Sequence, residues 1–156
     1  APGWNLALPR PPEALLLGAG LETRPLLRLL DELGWRTTAI DPRERWHDLC
    51  TAADATALPR AGLGGFDAAL VMHHAFERDR DALASLAGSG VPFVGLLGPP
   101  RRRDDLMGLL SAAQRASLAP RLHAPVGLDL GGQGPEAIAL SIAAQLQSWR
   151  AQGGAG

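Results

Sequence analysis

Lysine and tyrosine are both missing from the 156 residues, and cysteine occurs once. All fifteen basic residues are therefore arginine, a bias that more often reflects genome composition than function. Without lysine there is no Schiff base and no P-loop lysine. Without tyrosine, the Tyr/Lys pair of many nicotinamide-linked reductases cannot be assembled. A lone Cys50 excludes an internal disulfide and a cysteine-based zinc site. Long apolar runs are absent too, and mean hydropathy is only +0.02; a membrane helix needs about 20 consecutive apolar residues. The net charge of −1 lacks the electrostatic footprint of a non-specific nucleic-acid binder. No charged-then-apolar leader opens the chain, so a cytoplasmic location is expected. Ala1 in place of methionine is consistent with removal of an upstream piece.

What is present suits one α/β domain. At this length roughly 70% of the unfolded surface can be buried, enough for a single core. Residues 1–12 read as a proline-rich arm or linker remnant, 13–150 as the domain, and 151–156 as a flexible tail. Strands are expected at Ala14–Leu17, Arg36–Ile40, Ala68–Met72 and Pro92–Leu97, with a short extended piece at Leu122–Leu128. Helices are expected around Leu26–Leu33, over Phe76–Ala87, from Arg101 to about Arg115, and from Pro135 through Trp149. The strands are continuously apolar, as in a parallel sheet covered on both faces. The expected architecture is a Rossmann-like doubly wound parallel sheet, ordered 3-2-1-4-5.

In such a sheet, ligands bind beyond the carboxyl ends of the strands, where the winding reverses. Gly18-Ala19-Gly20 supplies the first two glycines of a dinucleotide fingerprint, which bring backbone N–H groups to a phosphate. Thr23 stands where the third small residue belongs, and Glu22 would oppose a phosphate unless it points outward. Asp41, about twenty residues on, is placed to read ribose hydroxyls, and Arg43 to meet a 2′-phosphate. Alternatively, Asp41-Pro42 merely starts a turn. Gly98 delivers Pro99-Pro100-Arg101-Arg102-Arg103 to the same rim. Cations oppose a helix N-terminus by about 0.3–1 kcal/mol each, so this run makes sense in front of an anion. The plainer reading lets Asp104 and Asp105 neutralise it as a solvated face. Of His73 and His74, one is expected to face the crevice and the other to pack under a helix. No spacing among His47, His73, His74 and His123 supports a metal, and Cys50 reads as a small buried group.

Leu17-Gly18-Ala19-Gly20, Arg24-Pro25-Leu26, Glu32-Leu33-Gly34-Trp35-Arg36 and Asp41-Pro42-Arg43 together resemble the Rossmann domain of the XdhC/CoxF family. The likeness continues through Val71-Met72, His74 and Phe76-Glu77-Arg78-Asp79. It is sharpest at Val94-Gly95-Leu96-Leu97-Gly98-Pro99 and at Leu122-His123-Ala124-Pro125-Val126-Gly127-Leu128-Asp129-Leu130-Gly131. It covers roughly Ala14–Leu146. Two departures stand out: His73-His74-Ala75 replaces a usual Thr-His-Asp, and the family's separate N-terminal domain lies outside this sequence.

The resemblance implies an accessory role toward xanthine dehydrogenase and related molybdenum hydroxylases. It implies binding of the molybdenum cofactor, as molybdopterin or its dinucleotide, and delivery to the apo-enzyme. A sulfurtransferase partner and a homodimer are implied in the same way. Gly18, Ala19, Gly20, Asp41, Arg43, His74, Gly98, Arg101 and Arg102 are the expected cofactor-binding residues, with no catalytic residue. The alternatives are an NAD(P)-binding oxidoreductase with His74 as proton donor, and a non-catalytic interaction module with a vestigial nucleotide site.

Overall fold

A computed structural model describes residues 10–54 and 63–154. Five strands, β1 (Glu13–Leu17), β2 (Arg36–Ile40), β3 (Ala68–Val71), β4 (Phe93–Leu96) and β5 (Leu122–His123), form one sheet. Its order is β2-β1-β3-β4-β5, and every pairing is parallel. Successive side chains of a strand face opposite sides. Ala14 and Leu16 accordingly join one core, beneath α1 (Thr23–Glu32) and α5 (Pro135–Ala151). Leu15 and Leu17 join the other, beneath α2 (Phe76–Ala87), α3 (Pro100–Met107) and α4 (Ala112–Leu118). Helices on both faces explain why β3, β4 and β1 from Ala14 onward are apolar throughout, whereas the edge strand β2 is not.

The strand order corrects the expected 3-2-1-4-5. β3 pairs with β1, in the register Leu17 opposite Val71, rather than outside β2. No α-helix lies between Ile40 and Ala68 among the described residues, only a 3-10 turn at Glu44–Trp46. Among the described residues, the chain touches the outer edge of β2 at a single parallel bridge, Ile40 to Ala52. Ala52 thus takes the place that a third strand would fill.

The expected helix from Arg101 to Arg115 is two helices. Gly108 ends α3, and Ser111 starts α4 with a capping box, exchanging side-chain and backbone hydrogen bonds with Gln114. Only Leu122–His123 of the expected extended piece is strand, although the Val126 N–H still donates to the Leu96 carbonyl. Most of the arm falls outside the described residues. Gln152, Gly153 and Gly154 of the tail hydrogen-bond back onto the end of α5.

Gly95 has no room for a side chain: a Cβ would lie 2.6 Å from Val126 Cγ2 and 2.9 Å from Leu70 Cδ2. Arg121 joins three elements, donating to the carbonyls of Val91 at 2.6 Å, Leu86 at 3.0 Å and Ser117 at 3.1 Å.

Register fixes where a ligand can go. Ile40, Leu17, Val71 and Leu96 lie in one row across the sheet, so the segments after four strands leave from one rim. The winding reverses between β1 and β3, at that rim.

Candidate functional site

The turn after β1 is built against the end of β3. Gly18 has φ +99°, and a Cβ there would fall 2.3 Å from the His73 Cα, so only glycine fits. The three amides of Gly18-Ala19-Gly20 are spent internally. Gly18 donates to the Ile40 carbonyl at 2.8 Å, Ala19 to Asp41 Oδ2 at 2.9 Å, and Gly20 to Thr23 Oγ1 at 2.9 Å. Thr23 is fully buried, and its hydroxyl is what the third fingerprint position supplies in this chain.

Asp41 holds the turn from the end of β2. It is 0% exposed, and both carboxylate oxygens are taken, by the Ala19 amide and by the amide and guanidinium of Arg43. Burial works to raise its pKa, but the Arg43 and Ala19 hydrogen bonds bring it down to about 2. A ribose cannot reach this acid in the present conformation, so Asp41 is a positioning residue. Arg43 is likewise a brace: beyond Asp41 it donates to the carbonyls of Ala19 at 2.8 Å and His73 at 3.4 Å.

Glu22 points inward, and not outward as a phosphate on the turn would require. Its side chain is 5% exposed, and Oε1 lies 2.8 Å from His74 Nε2. A Cβ on Gly20 would meet both groups, at 2.7–2.9 Å. Gly20 therefore makes room for an internal carboxylate and imidazole. Burial pushes the Glu22 pKa up, but the hydrogen bonds from His74 and from its own amide outweigh it, and the pKa is lowered. The hydrogen bond to Glu22 raises His74 against burial. His74 adopts a left-handed φ of 59° and leaves the strand direction. Its neighbour His73 turns to α2, with Nδ1 2.9 Å from Asp79 Oδ1.

The arginine run divides. Arg102 folds over Gly98 (φ +132°), donates to the buried Asp79 at 2.7 Å and lies over the Phe76 ring. Arg103 pairs with Asp104 and reaches the Ala124 carbonyl. Arg101 is exposed and lines none of the cavities that make up the groove. Its side chain leaves α3 in another direction from that of Arg102, because a helix turns consecutive side chains by about 100°. Asp79 and Ile138 were missed; the one signal for Asp79 was an acid in the first turn of α2.

Three cavities run along the rim and share residues. The central one, about 330 Å³, is lined by Ala19, Gly20, Glu22, Arg43, His74 and Ile138 among others. His74 and Ile138 lead into a second, about 390 Å³, with Met72, Leu97, Gly98 and Arg102. Gly20, Leu21 and Arg45 lead the other way into a third, about 330 Å³, with Arg24, Arg28 and Trp46. The result is one elongated groove across the reversal of the sheet.

The remaining candidates lie elsewhere. His123 stacks on Phe93 with ring centroids 4.0 Å apart, and burial lowers its pKa. Burial and the nearby Asp41 push the Cys50 thiol up, away from a reactive thiolate. Among the described residues no three His, Cys, Asp or Glu side chains are grouped to hold a metal, and no helix is long and apolar enough to cross a membrane.

Comparison with known proteins agrees with this fold. The chain is 33% identical over 144 residues to a probable xanthine dehydrogenase subunit of Bacillus subtilis, covering 86% of this chain and 42% of that protein. It is 28% identical to the uncharacterized protein YqeB of Escherichia coli, covering 86% of this chain and 27% of that one. A crystal structure described as a xanthine dehydrogenase from Bacillus halodurans superposes with a TM-score of 0.75 at 27% identity, covering 91% of this chain and 43% of that one. The chain thus spans less than half the length of these relatives. The profile of the XdhC Rossmann domain matches residues 15–146, and the chain belongs to that family.

Proposed function

We propose that this chain binds the molybdenum cofactor, as molybdopterin or its dinucleotide, in support of the maturation of a xanthine dehydrogenase-type hydroxylase. The observation that carries the reading is the elongated groove at the sheet reversal, bounded by His74 and Arg102 at one end and by arginines at the other. An extended ligand with a flat ring system and a phosphate matches that shape. Met72, Leu97 and Ile138 offer an apolar wall, and His74, whose pKa the hydrogen bond to Glu22 raises, offers a polar ring at its edge. The bound cargo would carry the hydroxylase's redox chemistry; the residues of this chain bind, orient and shield it. The apo-hydroxylase as partner, a sulfurtransferase, a homodimer and a cytoplasmic location belong to the same proposal.

One observation favours a second reading, an interaction module with a vestigial nucleotide site: the turn amides are spent internally and Glu22 sits on Gly20. The same facts weigh against an NAD(P)-linked oxidoreductase, which needs those amides and a free acid after β2. Anaerobic calorimetry with the cofactor, NAD and NADP side by side separates the three. Saturable cofactor binding, followed by transfer to an apo-hydroxylase, supports the proposal. Tight NADP binding with carbonyl turnover, or no binding of any of them, overturns it.

A further inference from the structure

The glycine turn is a poor seat for a phosphate in this chain. Its Gly18, Ala19 and Gly20 amides donate to the Ile40 carbonyl, Asp41 and Thr23, and the Glu22 carboxylate lies within 2.7–2.9 Å of where a Cβ of Gly20 would be. A ligand phosphate placed there would meet a carboxylate and none of these three amides free. The cavity next to it has the opposite character. Arg24 and Arg28 lie one helical turn apart on α1, spaced i and i+4, and so share a face. Arg45 reaches the same cavity from the 3-10 turn, with its guanidinium 4.6 Å from the Trp46 ring centroid. None of the three forms an ion pair among the described residues. Asp48 and Glu136 also line the cavity without pairing with them.

We infer that the phosphate-bearing, nucleotide end of the ligand seats in this arginine-lined cavity beside α1, displaced from the glycine turn. The inference rests on the reading that the groove takes a phosphorylated cofactor, and it selects the dinucleotide form. Guanidinium forks match phosphate oxygens. Leu21 (73% exposed) and Leu49 supply apolar surface for a base, while Asp48 and Glu136 can accept sugar hydroxyls. A volume of about 330 Å³ falls within the range of small-ligand pockets. Trp46, whose indole nitrogen is buried without an acceptor among the described residues, completes the wall. Gly20 and Leu21 join this cavity to the central one, so one ligand can span both.

The test uses the full chain with cytidine diphosphate and with inorganic pyrophosphate at low salt, followed by calorimetry and by amide and arginine side-chain NMR. Cytidine diphosphate is expected to bind more tightly than pyrophosphate and to shift the Arg24 and Arg28 Nε–H signals, leaving the Ala19 and Gly20 amides in place. Arg24→Ala with Arg28→Ala should weaken it at least tenfold, while Arg101→Ala, an exposed arginine outside the groove, should change nothing. Equal affinity for pyrophosphate, shifts centred on Ala19 and Gly20, or unchanged binding by the double variant would each overturn the inference. So would failure of the wild type to bind cytidine diphosphate. The two readings fail separately. Cofactor binding that survives the double variant removes this seat and keeps the cofactor role. Cytidine diphosphate binding at the arginines without any cofactor binding does the reverse.

Discussion

The Asp41 carboxylate accepts the Ala19 amide hydrogen at 2.9 Å, which fastens the turn after β1 to the end of β2. Asp41→Ala would strand that amide and leave the Arg43 guanidinium without its carboxylate. A buried donor left without its partner costs about 1–3 kcal/mol, and urea unfolding should show a loss of that size.

The same acid sets an acid limit. Its pKa in the folded chain is about 2, below the ordinary 3.8. A lowered carboxylate stabilises the fold above its unfolded pKa and loses that contribution as pH falls toward the folded one. The difference in stability between wild type and Asp41→Asn should therefore shrink between about pH 4 and pH 2. A constant difference across that window would mean the carboxylate's charge does not contribute.

Thr23 makes a sharper case for a single hydroxyl. Thr23→Val keeps the shape and removes the acceptor of the Gly20 amide. A buried donor left without a partner costs about 1–3 kcal/mol, whereas Thr23→Ser keeps the oxygen and should cost less. Thermal unfolding of the two variants tests the order.

His74 titrates under the influence of Glu22, with Asp79 raising its pKa further and Arg43 opposing. NMR should place its pKa above the ordinary 6.5, and Glu22→Gln should bring it back down. The sign is opposite to that of Asp41. A raised histidine stabilises the fold below about pH 6.5 and loses that contribution as pH rises through its folded pKa. If the cofactor's anionic groups rely on the imidazolium, affinity should decline over the same rise.

Gly95→Ala should destabilise the sheet by about 1–3 kcal/mol through overpacking, because its methyl would press on Val126 and Leu70. Val126→Ala in the same chain should recover part of that loss, in contrast to two independent costs adding.

Much of this fold is legible in the sequence, because local rules and tertiary packing agree. Phe76–Ala87 is a helix with the expected bounds, stopped by Gly88. Arg36–Ile40 is the expected strand. Periodicity misleads where one stretch carries two signals. The leucines Leu106, Leu109 and Leu110 suggest one helix, but Ser111 and Gln114 form a capping box that starts another. The expected strand order failed because β3 pairs with β1, and among the described residues only Ala52 bridges the outer edge of β2, which no periodicity reveals. In the site, Gly18 and Gly20 lie at the rim as expected, yet their amides and Asp41 face inward. A fingerprint reports which residues meet at a turn, while the direction of each donor depends on partners such as the Ile40 carbonyl that lie outside the motif.

Arg121 gives the lysine-free composition a local meaning. One flat side chain reaches carbonyls at the end of α2, before β4 and inside α4. An ammonium radiates its protons from a single point, so Arg121→Lys could not bridge the same three places. Arg101, by contrast, is open to solvent. Wholesale recoding of arginine to lysine, harmless at most surface positions, would in this molecule cut a crosslink between secondary-structure elements.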